Sequence, residues 1–300
     1  MHLGNIYTAL MSWLSAKSAG GDWLLRIEDL DPQRSRVEYA RQIEEDLHWL
    51  GLDWDEGGLD NIGDAGPYCQ SMRSSIYAEA LGKLTDTGYI YPCFCTRADI
   101  MATQAPHQSD GRIIYAGTCR PSALPSEFID PLRPHACRLY VPDTEICFCD
   151  AIYGEQRINL AKECGDFVLR RADGAWAYQL SVVVDDGLMG VTEVVRGNDL
   201  LLSAAQQQYL YGLLCLPAPR FVHLPLVCTQ EGRRLSKRDH SLSMEEMRHR
   251  LPPDAVIGRA AYLAGLTDRP EACTPKDLLG IFNIDRIPKA AHVTVPEEWL

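Results

Sequence analysis

The fold is decided by the nonapeptide Trp-Leu-Leu-Arg-Ile-Glu-Asp-Leu-Asp at residues 23–31. Its first half, Trp23–Ile27, is apolar enough to form a buried strand, and its second half is an acidic turn. Apolar residues recur with helical spacing over residues 2–18, and Gly20 and Gly21 end that segment. The sequence therefore predicts a helix followed directly by a buried strand.

Two more helices are predicted after the acidic turn. Residues 35–38, Ser-Arg-Val-Glu, form a capping-box pattern before a helix whose inward residues would be Val37, Ala40, Ile43, Leu47 and Leu50. A further helix is predicted over residues 74–87. This alternation of helix and strand favours an α/β fold with parallel strands.

Acidic residues at the carboxyl end of the predicted strand are candidate ligand-binding groups. Open α/β sheets bind their ligands at that end of the strands, which makes Glu28 and Asp29 candidates by position and by chemistry. The alternative is that both side chains only cap the turn that follows.

Composition limits the class of protein. The chain has 300 residues, of which 46% are hydrophobic and 23% charged, as in an ordinary globular protein. No apolar run approaches the length of a membrane span, and the N-terminus lacks the pattern of a secretory signal, so we expect a cytoplasmic protein. The eleven cysteines are then expected to be thiols that are buried or bind metal.

The net charge of −12 argues against a protein that coats nucleic acid indiscriminately. It leaves room for a local basic surface that recognises one folded RNA. Its candidate residues, which could equally be solvated surface charges, are Arg170, Arg171, Arg233, Arg234, Lys237 and Arg238.

Two short motifs suit a nucleotide. His2-Leu3-Gly4-Asn5 opens the first helix, where free backbone N–H groups and the His2 side chain could bind phosphate, and Gly4 would let adenosine approach. Lys237, in a Ser-Lys loop, could meet the charge that develops on departing pyrophosphate. The alternative is a disordered His2 and a solvated basic loop.

A proline- and cysteine-rich segment, residues 89–165, suggests an insertion that could bind zinc. A Cys-x-Cys pair, Cys93 and Cys95, is followed about twenty residues later by Tyr115 and Cys119, which could close a tetrahedral shell. The competing pair, Cys147 and Cys149, lies on a probable strand and is interpreted as core packing. His107 and Cys137 are lesser alternatives.

The motifs together resemble the glutamyl/glutaminyl branch of class I aminoacyl-tRNA synthetases. Over residues 2–240 the matching stretches occur in the family's order and are residues 2–5, 25–31, 70–73, 166–171, 178–180, 182–186, 195–199 and 235–238. The resemblance implies a Rossmann-type catalytic domain that uses Mg²⁺ with ATP. It assigns Glu28, Tyr178 and Arg196 to glutamate, His2, Gly4, Asn5, Ser236 and Lys237 to ATP, and Cys93, Cys95, Tyr115 and Cys119 to one structural Zn²⁺.

Length narrows the resemblance further. Only 63 residues follow Lys237, too few for an anticodon-binding domain. The chain is therefore similar to the truncated glutamyl-Q tRNA(Asp) synthetases, which use ATP to activate L-glutamate and transfer it to the queuosine base of tRNA(Asp). We expect a monomer whose catalytic halves are residues 1–88 and 166–240, separated by a zinc-binding insertion at 89–165 and followed by a short helical region at 241–300.

One departure from the family pattern and two alternatives accompany this interpretation. The family's first strand should precede His2, so we expect that strand to be missing here and Met1 to be an internal methionine of a longer natural product. The first alternative is a fragment of an ordinary glutamyl-tRNA synthetase. The second is a non-catalytic, synthetase-like protein that binds nucleotide or tRNA; the joint retention of Glu28, Tyr178, Arg196 and Lys237 argues against it.

Overall fold

A computed structural model describes residues 1–31, 35–102, 114–126, 132–235 and 242–299. Its helices are α1 (Leu3–Ser18), α2 (Val37–Trp49), α3 (Ser74–Asp86), α4 (Arg97–Ala102), α5 (Leu160–Glu163), α6 (Tyr178–Leu188), α7 (Leu201–Leu214), α8 (Met244–Arg250), α9 (Pro253–Leu263) and α10 (Pro275–Leu278). Its strands are β1 (Leu24–Leu25), β2 (Glu56–Gly57), β3 (Ile90–Cys93), β4 (Ala136–Leu139), β5 (Glu145–Asp150), β6 (Gly154–Asn159), β7 (Phe167–Arg170), β8 (Glu193–Gly197), β9 (Arg220–Leu224), β10 (Leu226–Cys228) and β11 (His292–Thr294).

Helix α1 confirms the predicted first helix. Leu3, Ile6, Leu10 and Leu14 repeat at helical spacing and are fully buried. They belong to a large core cluster to which α9 also contributes, so the first and last parts of the chain share one core. This packing fixes the N-terminal end of α1, where the nucleotide motif lies.

The strands form a mixed α/β architecture. The largest sheet has the order β6-β5-β9-β8, in which β8 and β9 are parallel and β5 and β6 form an antiparallel hairpin. A second sheet, β3-β4-β7, is antiparallel. Two short parallel pairs, β1 with β2 and β10 with β11, complete the described sheets.

The edges of β1 and β8 border one cavity. Within the described residues β8 is the edge strand of its sheet and β1 pairs only with β2. Both strands line a cavity of about 1100 Å³ that also reaches the first turn of α1. Polar residues that follow β1 and β8, among them Glu28 and Asp199, also line this cavity.

Helix α2 differs from its prediction. It starts at Val37 with Arg36 as the cap, and the Ser35 backbone N–H donates to the Asp31 carbonyl, so the predicted capping box was wrong. Val37 and Ile43, expected inside, are 49% and 37% exposed. The helix packs on the surface of the core through a narrower stripe than its sequence pattern suggested.

The C-terminal region is not purely helical. After α8, α9 and α10, residues 292–294 form β11, which pairs in parallel with β10. This pairing ties the end of the chain to the segment that leads into the basic loop. Among the described residues, no helix combines the length and the apolar character needed to cross a membrane.

Candidate active site and metal centre

The acidic turn after β1 separates the two candidate carboxylates. Glu28 lines the cavity with its side chain 41% exposed, and Arg26 Nη2 donates to Glu28 Oε1 at 3.1 Å. Asp29 instead accepts from the backbone N–H and the hydroxyl of Ser71, at 2.8 and 2.6 Å. Asp29 thus joins the turn to the segment at residues 70–73, whereas Glu28 remains available to a ligand.

A buried ionic network holds this turn against α6. Arg26 Nη1 donates to Asp186 Oδ1 at 2.7 Å, and the neighbouring Asp185 is fully buried. Asp185 accepts three hydrogen bonds of 2.6 to 2.8 Å, which come from Arg73 Nε, Gln70 Nε2 and the Tyr77 hydroxyl. Buried carboxylates with this many partners are rigid, so the network fixes the end of β1 relative to α6.

Tyr178 and Arg196 lie beside Glu28. Tyr178 is the first residue of α6 and is 38% exposed, whereas Arg196 is on β8 and is 7% exposed. Burial raises the pKa of Tyr178, the charge of Glu28 raises it further, and the charge of Arg196 lowers it. The structure therefore brings the three predicted glutamate-binding residues into electrostatic contact, and one of them, Glu28, lines the cavity.

A buried histidine contacts Arg196. Arg196 Nε donates to His223 Nε2 at 3.0 Å, and His223 Nδ1 lies 2.7 Å from Asp150 Oδ2. The side chains of His223 and Asp150 are both fully buried. Burial lowers the pKa of His223, although the hydrogen bond to Asp150 opposes this effect.

The predicted ATP motif lines the same cavity. His2, Gly4 and Asn5 all line it, and the His2 backbone N–H donates to Asn5 Oδ1 at 3.1 Å at the start of α1. His2 also forms an isolated β-bridge with Ser243, so it is held in place rather than loose. A Cβ on Gly4 would lie 3.1 Å from His2 Cε1, so this glycine makes room for the imidazole.

The basic loop begins at the same cavity. Arg234 lines it and forms an ion pair with Asp199 at 2.6 Å, and Leu235 is buried. Ser236 and Lys237, the predicted ATP-binding residues of the loop, lie outside the described residues. The described part of the chain thus leads from the cavity wall directly into the Ser-Lys motif.

The four predicted zinc ligands converge. Tyr115 Oη lies 3.4 Å from Cys93 Sγ and 3.7 Å from Cys95 Sγ, and the sulfurs of Cys95 and Cys119 are 3.5 Å apart. Zinc bonds of about 2.3 Å to sulfur and about 2.0 Å to oxygen place neighbouring tetrahedral ligands roughly 3.5–3.8 Å apart. The donor set therefore fits zinc, and Cys93, Cys95 and Cys119 form the cysteine cluster of metal-binding geometry in the described residues.

The interpretation of the second Cys-x-Cys pair as core packing was wrong. Cys147 and Cys149 are exposed, whereas Phe148 between them is buried. Strand β5 turns alternate residues to opposite faces, and its inner face takes the phenylalanine. Cys137 is buried on β4, and His107 lies outside the described residues.

Comparison with known proteins agrees with this geometry. Residues 1–298 match the family model of the tRNA synthetases class I (E and Q), catalytic domain. A glutamyl-Q tRNA(Asp) synthetase of Symbiobacterium thermophilum is 48% identical over 100% of this chain and 94% of its own length. Another, of Nitratidesulfovibrio vulgaris, is 44% identical over 98% of this chain and 92% of its own length.

The chain belongs to the glutamyl-Q tRNA(Asp) synthetase family. Among solved structures, a glutamate–tRNA synthetase of Elizabethkingia anophelis superposes with a TM-score of 0.84 at 29% identity. The match covers 100% of this chain and 66% of that one, so the chain spans about two thirds of that synthetase. This glutamyl-Q tRNA(Asp) synthetase family member thus has the mixed α/β fold of the glutamyl-tRNA synthetase catalytic domain.

Sequence reasoning missed two residues of this glutamyl-Q tRNA(Asp) synthetase family site. His223 and Asp150 were not singled out, although His223 hydrogen bonds to Arg196 and Asp150 hydrogen bonds to His223. A signal was present, because His223 interrupts the apolar run Phe-Val-His-Leu-Pro-Leu at residues 221–226. A buried histidine needs hydrogen-bond partners, and here they come from two other strands.

Proposed function

We propose that this chain activates L-glutamate with ATP and transfers it to the queuosine base of tRNA(Asp), acting as a monomer in the cytoplasm. The observation that carries the proposal is that Glu28, Tyr178 and Arg196 interact electrostatically with one another, and that Glu28 lines the same cavity as the N-terminal end of α1. A reducing compartment suits a chain in which none of the eleven cysteines forms a disulfide.

The three converging residues match the groups of glutamate. The Glu28 carboxylate would bind the α-ammonium group, and the guanidinium of Arg196 would hold one carboxylate with two parallel hydrogen bonds. The hydroxyl of Tyr178, a residue that is more than a third exposed, would be the third group to contact glutamate. Opposite charges at fixed separation favour a zwitterionic, dicarboxylic amino acid over a neutral side chain.

The part of the cavity formed by the N-terminal end of α1 would bind ATP. The first backbone N–H groups of α1 and the His2 side chain would meet its phosphates, and Gly4 and Asn5 would contact the nucleoside. Ser236 and Lys237 would bind the phosphates. Mg²⁺ would enter with ATP and neutralise phosphate charge.

The reaction has two steps. A carboxylate oxygen of glutamate attacks the α-phosphorus of ATP, which forms glutamyl-adenylate and releases pyrophosphate. A hydroxyl of queuosine then attacks the activated carbonyl, loses its proton and releases AMP. The role of the chain is to position the reactants and to stabilise developing charge, with Lys237 and His2 beside the phosphates.

We also propose one structural zinc ion at Cys93, Cys95, Tyr115 and Cys119. Three sulfurs and a phenolic oxygen at 3.4 to 3.7 Å from their neighbours fit a closed tetrahedral shell, which leaves no position open for catalysis. When bound, the metal would tie the end of β3 to the segment around Tyr115 and so order the insertion.

Glutamate-dependent exchange of pyrophosphate into ATP, without tRNA, tests the first step. We expect exchange with L-glutamate and little with L-glutamine. Transfer of labelled glutamate to tRNA(Asp) that carries queuosine, with the same tRNA bearing guanosine as control, tests the second. Equal labelling of both tRNAs, or of the 3′-terminal adenosine, would contradict the proposed acceptor, and absence of exchange would contradict the enzyme itself.

Lys237→Ala tests the assignment of the loop. Removing one electrostatic contact of this kind lowers the rate of activation by about 10²-fold or more. Lys83→Ala is the matched control, because Lys83 is 65% exposed and pairs only with Glu79 on the same helix among the described contacts. Equal exchange rates in both variants would reject the role of Lys237.

A further inference from the structure

Arg196 is the first member of a buried chain of three side chains that come from three adjacent strands. Arg196 on β8 donates from Nε to His223 Nε2 on β9 at 3.0 Å. His223 Nδ1 in turn lies 2.7 Å from Oδ2 of Asp150, the last residue of β5. The side chains of Asp150 and His223 are fully buried, so neither is placed to touch a substrate.

The hydrogen bonds of Asp150 determine the tautomer of His223. Asp150 Oδ1 accepts from the backbone N–H groups of Ile152 and Tyr153, at 3.0 and 2.9 Å, and Oδ2 accepts from the His223 backbone N–H at 3.1 Å. These contacts and the ring lower the pKa of Asp150 despite its burial, so it remains a carboxylate. His223 Nδ1 must therefore carry the proton, and Nε2 keeps a lone pair for Arg196.

We propose that His223 is a positioning residue for glutamate binding, which accepts from Arg196 Nε and thereby turns the remaining guanidinium N–H groups toward the substrate carboxylate, with Asp150 holding the required tautomer. A guanidinium is a planar fork, so fixing one nitrogen orients the others. The Leu200 carbonyl, 3.5 Å from Arg196 Nη2, supports the same orientation. The role of His223 rests on the proposed binding of glutamate by Arg196.

Two substitutions distinguish this role from simple packing. In His223→Gln, the amide oxygen can reach the place of Nε2 and accept from Arg196, while Asp150 loses its ring partner. In His223→Asn, the shorter amide can donate to Asp150 in place of Nδ1–H, but Arg196 Nε loses its acceptor. A role in positioning requires the acceptor, whereas a role in satisfying Asp150 requires the donor.

The KM for glutamate in pyrophosphate exchange, with kcat and thermal unfolding measured alongside, is the first readout. We expect His223→Asn to raise KM roughly 10- to 100-fold, the range for a hydrogen bond to a charged group, with kcat little changed because binding is weakened in ground and transition states alike. We expect His223→Gln to stay much closer to the unsubstituted chain. KM values in the reverse order, or equal in the two variants, would overturn the positioning role.

The second readout needs no enzymatic activity. Long-range ¹⁵N–¹H spectra of chain labelled at histidine, assigned by the signals lost in His223→Asn, should show His223 protonated at Nδ1 alone at neutral pH. Asp150→Asn, whose amide N–H would face Nδ1, should move the proton to Nε2. Protonation of His223 at Nε2 in the unsubstituted chain would overturn the relay. If exchange were absent but the tautomer were as expected, the proposed function would fail while the hydrogen-bond relay stood.

Discussion

The tripeptide Cys-Phe-Cys occurs twice in this chain, and the two copies differ in which of their side chains face inward. At residues 93–95 both sulfurs lie within 3.7 Å of the Tyr115 hydroxyl, in a cluster that also includes Cys119. At residues 147–149 both cysteines are exposed, and only the phenylalanine is buried. In the first copy the sulfurs make the structural contacts, and in the second copy the phenylalanine ring makes them.

The difference comes from where each strand ends. Strand β3 stops at the first cysteine of residues 93–95, so the backbone leaves the strand and lets both sulfurs turn toward residues 115–119. All three residues of the second copy lie inside β5, where side chains i and i+2 must share a face. That face points to solvent because the other packs on the core. A Cys-x-Cys motif therefore indicates a metal site only where a second pair of ligands faces it.

Cys93→Ser should have the largest effect, because it removes a ligand from the proposed zinc site. Structural zinc contributes about 10–16 kcal/mol of apparent binding free energy in small domains, most of which depends on a complete ligand set. We expect less than one zinc per chain by elemental analysis after dialysis, and a lowered melting temperature by circular dichroism.

The double variant Cys147→Ser/Cys149→Ser is the matched control for that change. Both side chains are exposed, so the free energy of unfolding should change by no more than about 0.5 kcal/mol per site, with zinc retained. Loss of zinc from this double variant, with retention in Cys93→Ser, would exchange the roles of the two tripeptides.

Replacing the central phenylalanine with alanine should destabilise the fold more in the second tripeptide than in the first. Phe148 is 8% exposed and its ring lies 5.9 Å from that of Phe221, so Phe148→Ala should cost about 3–5 kcal/mol in urea unfolding. Phe94 is half-buried beneath the Arg133 guanidinium, which is 3.6 Å from its ring centre, so Phe94→Ala should cost about 1 kcal/mol. A larger loss at Phe94 would show that the first tripeptide also depends on its ring.

The same contrast explains which features were predictable from the sequence. Helix α1 and strand β1 could be predicted because their signals are local, a stripe of apolar residues in one and a short apolar run in the other. The candidates Glu28, Tyr178 and Arg196 came from motifs, and the structure places them together. Burial of single positions was less predictable, as the exposed Val37 and Cys147 demonstrate.

Features that depend on pairing between distant segments could not be predicted. The contact between Asp150 and His223 joins positions 73 residues apart, and it exists only because β5 and β9 are neighbours in the largest sheet. Asp185 and Asp186 directly follow an apolar run in the sequence, and that run gives no sign that five side chains from other elements hydrogen bond to them. Propensity and periodicity carry no information about such partners.

Tyr115→Phe should have a smaller effect than the loss of a cysteine. The variant keeps the three sulfurs, and water can occupy the fourth position, as it does in open zinc sites. Losing an outer hydrogen-bond partner of a ligand lowers metal affinity roughly tenfold or more. Losing Tyr115, a direct ligand, should therefore lower the affinity for zinc by at least as much. Competition with a chromogenic chelator measures the affinity. An unchanged value would show that Tyr115 only hydrogen bonds to the sulfurs and does not bind the metal.

Thiol labelling of the unsubstituted chain should reveal the two tripeptides without any change in stability. Cys147 and Cys149 are exposed, as is Cys215, and these should react first with a disulfide reagent, whereas Cys93 is 2% exposed and should be protected. A chelator should then make Cys93, Cys95 and Cys119 reactive toward the reagent, because thiolates bound to zinc are poor nucleophiles. The labelling rates of Cys147 and Cys149 should remain unchanged. Peptide mass spectrometry assigns each label. If the chelator accelerated labelling at residues 147–149 instead, the metal would belong to the second tripeptide, and the different strand ends would not account for the different roles of the two copies.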